Sequence, residues 1–142
     1  MEQPIEDLQD AAQKVANVYS RLANKHFSCN LPVPARIEFD LCDRSPKSAG
    51  QASPLMVIAI NMILFRDNVK HILNDTIPHE IGHLVQFDRF DNRGSHVQGH
   101  GAEWQAIMKK FGKDPHKYHN MDTTEAVAHY KGRKKRKKSE AS

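Results

Sequence analysis

The sequence predicts an α+β domain on three observations: an apolar repeat of helical period at the N-terminus, a strand-like alternation over residues 36–42, and two more helical stripes downstream. At 142 residues the chain has room for one core and a tail. The first element runs from about Ile5 to Lys25. Leu8, Ala12, Val15, Tyr19 and Leu22 recur there at steps of four and three, which gives a helix one apolar face. Pro32 and Pro34 end that pattern. Ile37, Phe39 and Leu41 then alternate with Arg36, Glu38 and Asp40, as a half-buried strand requires.

Residues 43–54 turn to Ser, Pro, Lys and Gly and read as a loop before a second strand, Leu55 to Ile60. Val69, Ile72, Leu73, Ile77, Ile81, Leu84 and Val85 form the stripe of a central helix over 69–87. Pro78 lies inside that stripe, where it cannot donate to Asn74, so a kink or a fresh helix start is expected nearby. A Gly-rich loop over 88–99 leads to a third helix, Ala102 to Phe111, with Trp104, Ile107, Met108 and Phe111 on one face and Gly112 as its stop.

The net charge of +4 is a property of the tail. Lys131, Arg133, Lys134, Lys135, Arg136, Lys137 and Lys138 are seven of the 21 basic residues, and residues 1–130 carry 14 basic against 16 acidic. Residues 1–130 are therefore expected to fold, and 131–142 to form a disordered basic tail that binds DNA through phosphate contacts. With 39% hydrophobic residues, no apolar run near 20 and no secretory signal, the expected protein is a cytoplasmic monomer that makes no use of a membrane. Association with a nucleoid follows if the tail binds DNA, or a nuclear location in a eukaryote. Cys29 and Cys42 form no CxxC pair and are expected to be reduced and structural.

The chemistry lies in His79-Glu80-Ile81-Gly82-His83. Two histidines four apart on a helix project from one face and can share one tetrahedral metal. Glu80, beside the first, can act as general base on a zinc-bound water, the arrangement of HExxH metallopeptidases. Apolar Ile77, Ile81, Leu84 and Val85 hold the histidines near a core, and Gly82 leaves the helix open to close approach. A third ligand is needed, and His96, His100 and Glu103 are candidates. Gln86 and Arg89 occupy positions where the longer metzincin motif has Gly and His, which excludes that class. His71 and His96 read as surface histidines, His129 has no evident partner, and Trp104 reads as core.

The HExxH segment followed by Gly99-His100-Gly101-Ala102-Glu103-Trp104 resembles the SprT-like metallopeptidases, which include the Spartan proteases of DNA–protein crosslink repair. Ser48-Ala49-Gly50, Ile60-Asn61 and the stretch from Gly112 through Pro115 to His119 extend the resemblance over about residues 1–122. It implies a minimal zincin-like domain: an N-terminal helix, a small antiparallel sheet of about three strands, the HExxH helix and a following helix around an open cleft. It further implies His79, His83 and His100 as ligands of a single Zn2+, Glu103 beside them, and His119 as support for the cleft or the oxyanion. Many relatives add a C-terminal zinc ribbon. Here no cysteine follows Cys42, and a basic tail occupies that place. The expected activity is a zinc metalloendopeptidase acting on DNA-bound proteins. The rival is a nucleic-acid-binding module with a structural zinc.

Overall fold

The computed structural model describes residues 4–41, 48–90, 100–115, 123–128 and 131. Its first element, α1 (Ile5–His26), carries Glu6 and Asp7 in its first turn and Lys25 and His26 in its last, charges that complement the helix dipole. The buried line along α1 is Leu8, Ala12, Ala16, Ser20 and Ala23, while Val15, Tyr19 and Leu22 flank it. Small residues on that line let α1 pack closely on the histidine-bearing helix. Asn17 and Asn24 accept the backbone N–H groups of Ala35 and Leu31, so α1 also pins the segment that leads into the sheet.

The sheet has strands β1 (Arg36–Asp40), β2 (Gly50–Ser53) and β3 (Val57–Asn61) in the order β1-β3-β2. It is mixed, which corrects the antiparallel expectation: β2 pairs antiparallel with β3, but β1 pairs parallel with it, Arg36 opposite Val57. The chain reverses between β1 and β2 and again in the hairpin to β3. Two reversals restore the direction of β1. Because β3 takes the middle of the sheet, the pair it forms with β1 is parallel. Ile58, Ile60 and Asn61 of this central strand are fully buried. β2, which fell in an expected loop, is only four residues long, and its Gly-Gln-Ala-Ser sequence contains no large apolar side chain to alternate.

Asn61 closes β3 and starts α2 (Met62–Asp67), accepting the N–H groups of Ile63 and Leu64. Its amide also donates to the Ser48 carbonyl, tying the start of β2 to the end of β3. The expected central helix over 69–87 is divided: one helical turn, α3 (Val69–His71), then a π-helical stretch over Ile72–Thr76, then α4 (Ile77–Phe90). The backbone stays helical throughout, and the wider π turn lies immediately ahead of Pro78, whose ring lacks an N–H and crowds the preceding turn. α4 packs on α1, β2 and β3 and on α5 (Ala102–Lys110).

α5 ends in a Schellman motif. Gly112 lies at φ +76°, its N–H donates to Lys109 and that of Lys113 to Met108. Residues 124–128 form a further helical turn that the sequence reading lacked, with Ala126 in the core. Cys29 is a free, half-buried thiol; Cys42 lies outside the described residues. Lys131 is exposed, and the rest of the basic tail also lies outside the described residues. No helix among them is long and apolar enough to cross a membrane.

Candidate metal centre

α4 presents His79 and His83 one turn apart, and His100, just ahead of α5, closes the set. Their Nε2 atoms converge: 3.3 Å from His79 to His83, 3.0 Å from His83 to His100 and 3.0 Å from His100 to His79. Zinc–nitrogen bonds of about 2.0–2.1 Å arranged tetrahedrally require nitrogens about 3.3–3.4 Å apart. The triangle therefore has nearly the size of one face of a zinc tetrahedron. Three lone pairs aimed at one point repel unless a cation lies between them, so the donor set fits a zinc ion. These three residues are the only group of at least three metal-ligating side chains among the described residues.

The rings rest on Trp104. Its indole is buried, with ring centroids 4.7 Å from His79, 5.9 Å from His83 and 4.7 Å from His100. Its Nε1–H donates to the His79 carbonyl at 3.3 Å. Reading Trp104 as core alone thus missed its second contact, the floor it forms under the three histidines. Close approach between α4 and α5 depends on Gly82, where a Cβ would lie 2.4 Å from Met108 Cε and 3.0 Å from Trp104 Nε1. The Gln105 side chain donates to the His100 carbonyl and steadies the third ligand.

His83 Nδ1 lies 2.8 Å from Gln86 Oε1. Burial pushes the His83 pKa down, the Gln86 bond opposes this and His100 reinforces it, so the neutral imidazole that a metal needs is favoured. Glu80, the residue after His79, is 7% exposed. Its carboxylate lies against the first residue of β2: a Cβ on Gly50 would be 3.2 Å from both Cγ and Oε2 of Glu80.

Glu103 is not in the cluster, so among the described residues the histidine and not the glutamate completes the triad. Desolvation raises its pKa and Arg89 lowers it in part. Its Oε1 is buried without a hydrogen-bond partner among the described residues. His71, expected on the surface, is half-buried and 3.4 Å from Asp75. His96, His119 and His129 lie outside the described residues.

The chain is similar to Protein SprT of Vibrio parahaemolyticus, 34% identical over 105 residues covering 72% of this chain and 59% of that one. It is 32% identical to Protein SprT of Pseudomonas putida over 83% of this chain and 69% of the relative. Protein SprT of Yersinia pseudotuberculosis is 28% identical over 76% of this chain and 59% of its own length. The chain thus spans less than two thirds of the first of these relatives. No solved structure matches it. The SprT-like family pattern covers residues 14–131, a range that takes in α4, α5 and all three clustered histidines, and the chain belongs to the SprT-like family.

Proposed function

We propose that this protein is a zinc-dependent endopeptidase that cuts DNA-associated proteins, with His79, His83 and His100 as its zinc ligands. The observation that carries the reading is the convergence of three Nε2 atoms at tetrahedral spacing beside a buried glutamate on the same helix. Three protein ligands leave a fourth position open, which suits catalysis better than a closed structural site. His100 is exposed, so the cluster is accessible from solvent. Zinc held there supplies a Lewis acid for the scissile carbonyl and lowers the pKa of water.

Glu80 is the base that takes a proton from the attacking water and returns it to the leaving amine. Its burial against Gly50 limits the rotamers open to it and holds the carboxylate in place for that task. The seven cations of the tail supply a salt-sensitive, sequence-independent hold on nucleic acid, which brings the site to proteins bound there.

The test is zinc content and cleavage of a DNA-binding protein, with and without single-stranded DNA, for wild type and Glu80→Gln. One zinc per chain in both, with DNA-stimulated cleavage lost only in the variant, is the expected result. Zinc without cleavage under any condition refutes the peptidase and favours a nucleic-acid-binding module.

A further inference from the structure

We propose that Gln86 is a positioning residue for the metal: it holds the proton of the His83 imidazole on Nδ1, so that Nε2 enters the cluster as a lone pair. The inference rests on the three-histidine zinc site proposed above. Gln86 is only 2% exposed and lies three residues after His83 on α4, so its side chain meets the far edge of the same ring. An amide oxygen accepts and cannot donate. At 2.8 Å from Nδ1 it therefore requires the proton on that nitrogen.

The neutral side chain of free histidine in water favours the opposite tautomer, with the proton on Nε2. In this protein that proton would point into a gap of 3.0 Å toward His100 and 3.3 Å toward His79, where it would displace a metal. Gln86 thus reverses an intrinsic preference before any metal arrives. It also fixes the ring plane, since a ring turned about its axis loses the bond. An outer-shell partner of this kind is commonly a carboxylate or a backbone carbonyl. Here a neutral amide fills that place.

The experiment has two readouts on metal-free and zinc-loaded full-length protein. Long-range 1H–15N spectra of histidine-labelled metal-free wild type at pH 8 should show His83 protonated on Nδ1. Gln86→Leu and Gln86→Met should shift it toward Nε2. Chelator competition should then give a zinc Kd about 10- to 100-fold weaker for both variants, with Gln86→Glu, which keeps an acceptor, close to wild type. Using two apolar replacements guards against one that misfolds, and thermal midpoints of the metal-free variants identify it. A wild-type His83 protonated on Nε2, or zinc binding by both apolar variants within twofold of wild type, overturns the role of Gln86 alone. Absence of zinc uptake by wild type overturns the metal centre itself, and this inference with it.

Discussion

Replacing Gly82 by alanine sets two opposed effects against each other within one methyl group. In a helix interior, Gly→Ala normally stabilises by about 0.5–1 kcal/mol. Here the new Cβ would lie 2.4 Å from Met108 Cε, 3.0 Å from Trp104 Nε1 and 3.2 Å from Trp104 Cδ1, all inside ordinary contact distance. Met108 can swing its methyl away, although it is only 3% exposed and must find room in a packed interior. The indole has no such freedom. Moving it back by a few tenths of an ångström stretches the bond to the His79 carbonyl, already 3.3 Å, beyond useful length.

Overpacking costs about 1–3 kcal/mol and the lost hydrogen bond about 0.5–1.5 kcal/mol; less the helix-propensity gain, the net effect is destabilisation by roughly 0.5–4 kcal/mol. For a chain of 142 residues this lowers Tm by about 2–13 °C. Thermal unfolding of the metal-free protein, followed by far-ultraviolet circular dichroism, measures it. Adding Met108→Ala should produce a double variant less destabilised than the two single changes predict, because the cavity accepts the methyl. A Tm equal to or above wild type for Gly82→Ala refutes the reasoning, since helix propensity would then outweigh the pressure of α5.

Gly50→Ala should retain zinc and lower kcat about three- to tenfold, because its Cβ would press on Thr76 Cγ2 at 3.1 Å and on the Glu80 carboxylate at 3.2 Å; an unchanged kcat in steady-state cleavage separates Glu80 from β2. Asn61→Ala removes the cap of α2 and the tie to Ser48 from a fully buried position and should cost about 2–3 kcal/mol in urea unfolding, whereas a loss below about 0.5 kcal/mol contradicts the capping role. Burial, aided by the charge of Asp88, raises the Cys29 thiol to about 11, so the protonated, unreactive form dominates at pH 8. In a Cys42→Ser background, alkylation of Cys29 should start slow and rise about tenfold per pH unit up to about pH 11; an ordinary thiol profile levelling off near pH 9 refutes it.

Periodicity made α1, β1 and α5 legible, because each turns a regular apolar face to the core. His79 and His83 were legible through their spacing, while His100 needed the resemblance to select it from His96 and Glu103. β2 was hidden, since its four residues, Gly-Gln-Ala-Ser, contain no large apolar side chain to alternate. The direction of β1 relative to β3 was hidden for another reason: it depends on which strand takes the middle place, and no local pattern encodes that. Pro78 announced a break, but a π-helical stretch ahead of it looks like continuous helix in a hydrophobic stripe. Gln86 sits three residues after a predicted ligand, a signal that could have marked it as that ligand's partner.

Most of what arranges this site acts by absence of side chain. α4 packs against α1, is approached by β2 at Gly50, and is approached by α5 at Gly82. Each approach places something that matters: the first anchors the helix in the core, the second confines the Glu80 carboxylate, and the third sets Trp104 under all three imidazoles. His100 reaches the cluster from the bend just ahead of α5, so the placement of α5 against α4 bears on the size of the histidine triangle. A larger residue at position 82 therefore alters the ligand geometry without touching a ligand. For the zinc site proposed above, the expected order of importance for metal affinity runs from the three histidines to Gly82 and Gln86, ahead of Glu80, whose replacement would leave all three histidines in place.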